Sequence, residues 1–539
     1  MATLTKSCNA LASLDSNGRV VVASRAKEDV RNAVVAFLDM ASTATGKSTF
    51  YNTKEEQQTA IDKIHDAVFA VNRGLYAALL TLPGLTDYSS QRGLTRLLDD
   101  KTGQDESSMI TDEQERKVIS FLSKRLPAQR LLKMIGMLRE GKVNNKRTRT
   151  FILRSILGAE NLEWWAVKYR QKMATALTHA WGQKVATFVR VTLSKPESRR
   201  NTDEKNSLRK LIDKYSEQDM TDATVRKTVY EVICFVLGGE VRAPYKSDLI
   251  RSFMEAHQDL SAGKKLPKEV LEGIRSVYHK YIPSSQILEL TKETMTEGEK
   301  MTVQRAAREA GVEIKFDPTK QDMVKLYVYA LEMGMNQEIR SALNKKAKQV
   351  AATIPFSYRN IGVVVDNSRS MTGSKEQKNR PIAIALALRD VLSASATEDA
   401  VVVATNGDFD SLGMVVPSGE TSLADSLLEA LDNNPEAVFL ITDGYENAPA
   451  GRTAEVIERL RKMGIDTPIY QLTPTMAAEA VGKEVGAVRR LSNDAALMSV
   501  SKPEGIGVSM IRAALAADIE NGIRGLLNKT IPMLESQAA

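Results

Sequence analysis

The sequence predicts two parts: an all-helical region over residues 1–355 and a doubly wound α/β domain over 356–539. Two observations carry this. Apolar residues recur at helical spacing through the first 350 positions, and beyond about Ser357 short apolar strands alternate with helices. A third observation is the charge. Residues 1–350 hold 57 Lys and Arg against 43 Asp and Glu, whereas 351–539 hold 17 against 24.

In the first part, helical spacing covers 26–42, 54–82, 93–98, 112–126, 129–140, 147–157, 162–193, 205–215, 222–237, 246–256, 267–281, 284–294, 301–310 and 320–346. A short strand fits near 18–24. The longest segment carries Trp165, Tyr169, Met173, Leu177, Trp181 and Val185 as one i+4 series. Breaks fall where the chain cannot stay helical, as at Leu82-Pro-Gly84 and Leu126-Pro127. Many short amphipathic helices with brief connections suggest a solenoid of helix pairs in the manner of HEAT repeats. No clean sequence period accompanies them, and a plain helical bundle is the alternative.

In the second part, strands are expected at 361–365, 400–405, 413–416, 437–442 and 467–473. Helices are expected at 381–396, 421–433, 453–463 and 508–527, with the junction at 345–355. Strands that are apolar almost throughout belong to a parallel sheet covered on both faces.

Composition narrows the class. Length allows two or more domains with sizeable cores. No stretch reaches the roughly 18 apolar residues of a membrane span, so no membrane partner is expected. The first 35 residues lack a basic start followed by an apolar core, which argues against secretion. Cys8 and Cys234 are the two cysteines and cannot make a disulfide framework or a zinc cluster. A reducing cytoplasm is the expected location.

Asp366-x-Ser368-x-Ser370 ends the apolar strand 361–365, and in a doubly wound sheet ligands collect outside the carboxyl ends of the strands. Asp443 ends the strand Val438-Phe-Leu-Ile-Thr-Asp443, with Gly444 allowing a sharp exit. Thr421 lies between them, ahead of a helix. Two carboxylates and three hydroxyls are a hard oxygen set, suited to a divalent cation and above all Mg²⁺, with one position left for a partner's carboxylate or phosphate. The constellation Asp366, Ser368, Ser370, Thr421 and Asp443 resembles the metal-ion-dependent adhesion site of von Willebrand factor A domains. Arg369, between the serines, is expected either beside the cation or out toward Glu420 or Glu446. A phospho-acceptor or phosphatase site leaves the Ser-x-Ser spacing without a role.

Residues 121–200 alone hold 18 basic and 4 acidic side chains. So concentrated an excess points to a polyanion. Candidate RNA-binding residues are Lys142, Lys146, Arg147 and Arg149 at a helix entry; Lys168, Arg170, Lys172 and His179 on the long helix; and Arg199 and Arg200 in a basic loop. Lys168, Lys172, Thr175 and His179 share one helical face. A solvated helix surface is the bland reading of the charge, and a helix histidine bonded to a neighbour is that of His179. Aromatic content is 5%, and no RNP-type stacking sequence appears, which favours recognition of RNA by shape and charge, or of ends threaded through a channel. No catalytic constellation is present, and Gly46-Lys-Ser48 lacks the first glycine of a phosphate loop; an enzyme is not expected.

A helical region with a basic block, followed by a von Willebrand A domain, resembles the Ro autoantigen family, whose helical part is the TROVE module. Gly46-Lys-Ser-Thr-Phe-Tyr51 stands where that family has an early Gly-Thr-Tyr-Tyr segment, and Lys168–Trp181 is similar in kind to its basic RNA-facing helices. The resemblance implies HEAT-like repeats closed into a ring, with the A domain touching both ends. It implies a small noncoding Y-like RNA on the outer basic surface and single-stranded ends of misfolded or damaged RNA in the cavity. It suits a bacterial or phage homologue working in RNA quality control beside a 3′ exoribonuclease or RNA repair proteins. Two other classes remain open: a metal-dependent protein-interaction scaffold built on the A domain without RNA, and a nuclease- or translation-linked factor with a merely structural A domain.

Overall fold

The computed structural model describes residues 11–16, 19–50, 52–99, 108–354, 358–475, 480–481, 484–485 and 489–536. Cys8 and Tyr51 lie outside them. The described residues fall into two compact units. One lies within Met1–Gly93, Thr102–Leu122 and Pro318–Ala539, the other within Leu94–Lys101 and Ser123–Asp317.

The first unit opens with a hairpin of β1 (Ala12–Leu14) and β2 (Val20–Val22). Its main sheet comprises β3 (Tyr358–Val365), β4 (Ala396–Ala404), β5 (Ala437–Ile441), β6 (Ile469–Thr473) and, after a small hairpin of β7 (Ala480–Val481) and β8 (Glu484–Val485), β9 (Ala496–Ser499). The order is β4-β3-β5-β6-β9 and every pair is parallel. Strand order reverses between β3 and β5, so the crevice at their carboxyl ends is the ligand position of such a sheet.

A parallel sheet must be covered on both faces. Helix Leu423–Leu431 packs on β3, β4 and β5, and Arg452–Lys462 packs on that helix. Helix Arg380–Ser395 packs on β3 and β4 and is buried from Pro381 to Leu392. Its far side meets Met323–Met333 and Gln337–Ala351, which explains why this helix is apolar almost all round. Helix Lys27–Thr43 packs on β9 and on Ile506–Ala517. The early helices and the 318–351 segment therefore share the sheet's compact unit, although the sheet itself begins at Tyr358.

Two buried ionic contacts tie these pieces together. Asp39 accepts from Arg512 Nε at 2.6 Å and Nη2 at 2.8 Å, and from the Ser499 hydroxyl at 2.7 Å. Asp390 accepts from Arg340 at 2.9 Å, from Arg389 at 2.6 Å and from the Tyr327 hydroxyl.

Several boundaries differ from the sequence reading. The 54–82 segment is two helices, Lys54–Val71 and Arg73–Leu80, because Asn72 turns out of the first and its side chain caps the second through Leu75 N–H. The expected strand at 413–416 does not form. The Gly413 carbonyl accepts from Arg389 and the Val416 carbonyl from Asn367, so side chains satisfy this backbone. The 508–527 segment is two helices, Ile506–Ala517 and Ile519–Ser536. Asp518 leaves helical geometry and accepts from Asn521 N–H, while a Cβ on Gly522 would sit 2.8 Å from Leu515 Cα.

The second unit is helical. Leu162–Trp181 lies at its centre, packed against Ala128–Glu140, Lys146–Leu157, Ala223–Val236 and Asp248–Glu255. The expected single helix 162–193 is two, broken at Gly182, whose φ of +80° favours glycine. The i+4 series is not the buried stripe. Met173 and Leu177 are buried, but Trp165, Tyr169, Trp181 and Val185 only half so, and Tyr169 itself departs from helical geometry. No helix among the described residues is long and apolar enough to cross a membrane.

Candidate metal centre and nucleic-acid interface

Asp366 continues β3, its N–H donating to Ile441 O at 2.9 Å, and is completely buried. One carboxylate oxygen accepts from Ser368 N–H at 2.9 Å and the other from the Thr442 hydroxyl at 2.7 Å. The chain then turns through Arg369–Thr372, which brings Ser368 Oγ within 3.2 Å of Ser370 Oγ. Asp443 follows β5 and hydrogen-bonds with Ser370. Its exit needs Gly444, with φ +84° and room for no Cβ, since one would lie 2.6 Å from Arg489 O. Asp366, Ser368, Ser370 and Asp443 thus form one cluster.

Thr421 is buried at the end of a neighbouring loop, its N–H donating to Asn447 Oδ1 at 2.9 Å. That loop is tied to the Asp366 turn. Ser418 N–H donates to Asn367 O at 2.7 Å and Arg369 N–H to Gly419 O at 3.2 Å. Asn367 is fully buried and its amide bonds Asn406 O at 2.8 Å, while Asn406 holds Glu420 O at 3.0 Å. Asn367, Asn406 and Thr442 are positioning residues that the sequence reading passed over. Their only signal was adjacency to the acidic ligands or to the ends of buried strands. Arg369 is exposed, and Glu446 accepts from Thr453.

Burial, then the charge of Asp366, pushes the Asp443 carboxyl up to about 7; the Ser370 and Tyr445 bonds and Arg489 pull the other way. Burial also raises Asp366, against the Ser368 and Thr442 bonds. Two carboxyls this close and this dry cannot both ionise comfortably without a cation. The donor set is hard oxygen, and it fits Mg²⁺. Among the described residues no group of three or more His, Cys, Asp and Glu gathers, so the hydroxyls would carry part of the coordination.

A pH dependence follows. Without a cation, raising the pH from about 4 to about 7 strips the proton from the unfolded chain first, so folded stability falls across this window. A bound divalent cation would replace the proton. The rise in unfolding temperature on adding Mg²⁺ is expected to be larger at about pH 8 than at about pH 5, and absent in Asp366→Ala. An equal rise at both pH values would count against the site.

The basic candidates divide by what their donors meet. Lys168 lies 2.7 Å from Glu299 and 3.5 Å from Glu269; burial lowers its ammonium, yet these partners raise it on balance. Arg170 donates to Phe235 O at 2.8 Å with its guanidinium 4.1 Å over the Phe235 ring. His179 Nε2 meets Val143 O at 2.8 Å. Arg200 donates to Thr192 O and Leu193 O, capping helix Gln183–Ser194. These four hold the fold of the second unit. Arg147 is half-buried. Lys142, Lys146, Arg149, Lys172 and Arg199 are exposed, and among the described residues none of them is in an ion pair.

The same unit also exposes aromatic rings that composition alone did not reveal. Tyr281 is 83% and Tyr278 56% exposed, and His257 packs edge-on against Tyr278 at 4.6 Å. On helix Gln183–Ser194, Lys184, Phe188 and Val191 fall at spacings that share an exposed face.

In comparison with known proteins, no family model matches this chain and no curated protein matches it.

Proposed function

We propose that this chain is the RNA-binding component of a Ro-type ribonucleoprotein, carrying a small structured RNA on its basic helical unit and taking single-stranded RNA ends. The observation that carries this reading is the set Lys142, Lys146, Arg149, Lys172 and Arg199. The charged residues of 121–200 all fall within one compact unit, and these five are exposed and without ion pairs among the described residues. Uncompensated cations of this density supply the sequence-independent part of phosphate binding. Tyr278 and Tyr281 add ring faces on which unpaired bases stack.

The other unit supports the resemblance in a second way. Its five-stranded parallel sheet bears the Asp366-Ser368-Ser370-Asp443 cluster at the switch point, as a von Willebrand A domain would. Helices from both the start and the end of the helical region pack around that sheet.

Ultraviolet crosslinking of the purified full chain to co-purified RNA, followed by sequencing, tests the reading. One dominant small structured RNA is expected. Recovery of no RNA above background at about 0.1 M salt would reject it and leave the metal-dependent scaffold.

A further inference from the structure

The metal face, where an A-type domain would receive a partner's carboxylate, is covered by this chain's own residues 44–50. Ser48 offers its N–H and hydroxyl to Glu376 Oε2 at 3.1 and 3.2 Å. In return Ser48 O accepts from the Ser374 hydroxyl at 2.9 Å and from Gln377 Nε2 at 3.2 Å. Lys47 Nζ reaches Glu376 O at 3.3 Å. The Ser48 N–H holds the Glu376 carboxyl below its ordinary range, with help from the Ser48 hydroxyl. Four hydrogen bonds thus centre on Ser48, a residue more than 300 positions away from Glu376 in the chain.

Between this segment and the sheet is a cavity of about 40 Å³. Its walls include Ser370 and Asp443 on one side and Thr45, Ser48 and Phe50 on the other. That is room for a few waters, and too little for an incoming protein side chain together with its backbone. Asp443 is the only carboxylate among the described residues that line it. The covering segment supplies no acid to any open coordination position facing this space.

We infer that the metal face is an interaction surface whose partner is the chain itself: residues 44–50 form a strap that a bound divalent cation locks onto the Ser370–Gln377 turn, fixing the early helices to the sheet and excluding an external carboxylate. This rests on the metal reading of the Asp366 cluster. The physical link is short. Ser368 and Ser370 would be ligands, and Gly373, with φ +76° and a virtual Cβ 2.6 Å from Gln377 O, joins their turn tightly to Ser374 and Gln377. Ordering the first part of the turn orders the part that holds Ser48. The strap is anchored from behind as well, because Thr86 donates to Ala44 O at 2.6 Å and Ser501 to Ser42 O.

The test is amide hydrogen exchange of Ser48 and Thr49 in the full chain, in chelator and in Mn²⁺, with Mn²⁺ occupancy read by electron paramagnetic resonance. Mn²⁺ is expected to slow exchange at these two amides about tenfold. In Glu376→Lys, which alters no metal ligand, Mn²⁺ should still bind while the slowing disappears. Full Mn²⁺ occupancy with unchanged exchange in the wild-type chain overturns the strap and leaves the metal site standing. Slowing that persists in Glu376→Lys overturns it as well. Failure of Mn²⁺ to bind removes both the strap and the metal reading.

Discussion

Replacing Asp390 by alanine is expected to destabilise the sheet-bearing unit by about 3–5 kcal/mol. Asp390 is buried and receives Arg340, Arg389 and Tyr327 at once. Arg389 is only 6% exposed, so truncation leaves a guanidinium in the interior without its counter-charge. The cost comes mainly from that orphaned cation. The gross attraction within the pair is largely offset by desolvation, and it does not set the size of the effect. Arg389 would keep Gly413 O and the Phe409 ring as neighbours, and Arg340 is partly exposed, so the effect should stay within that range. Differential scanning calorimetry would show the unit's transition lower by about 10 °C. Tyr327→Phe, which keeps the packing and removes one donor, should cost about 1 kcal/mol. A drop of under 2 °C for Asp390→Ala would mean that water reaches the cluster.

Reversing Lys142, Lys146, Arg149 and Lys172 to glutamate is expected to weaken RNA binding by about 10²–10³-fold near 0.15 M salt. The slope of log affinity against log salt should fall in magnitude by about 3. All four side chains are exposed and outside ion pairs, so the unfolding temperature should hardly move. Filter binding of the co-purified RNA over a salt series measures both quantities. The choice of residues matters. Lys168, Arg170, His179 and Arg200 looked equivalent in the sequence, yet each has donors directed to Glu299, Phe235, Val143 or a helix end. Their reversal would disturb the fold, and any loss of RNA would then be ambiguous. Unchanged affinity and slope in the four-residue variant would exclude these side chains as the RNA contacts.

The candidate metal site was the more legible of the two. Asp366, Ser368 and Ser370 sit at the end of an apolar strand, and Asp443 ends another; parallel strand geometry carries them to the carboxyl end of the sheet. Asn367 was hidden, since a buried amide that holds the connection after β4 at Asn406 and Val416 reads like any polar residue in a turn. The RNA face was legible as a region and not as residues. Charge density survives folding, but which lysines stay free depends on acids more than 100 positions away, as Glu299 is from Lys168.

Local periodicity determined the broad class: many short helices first, then a parallel sheet with helices between its strands. It also determined most helix starts, because caps and proline act within a few residues. It missed the break at Gly182, the absent strand at 413–416 and the split near Asp518, where side chains from distant positions or close backbone approach overrule local preference. Only the tertiary structure decided that the described residues up to Gly93 share a compact unit with the sheet, that residues 44–50 lie against the Ser370–Gln377 turn, and that four of the basic candidates are structural. The physical reason is common to all three. Periodicity reports what a segment buries, whereas the identity of the burying partner and the pairing of each charge are set by contacts between segments far apart in the chain.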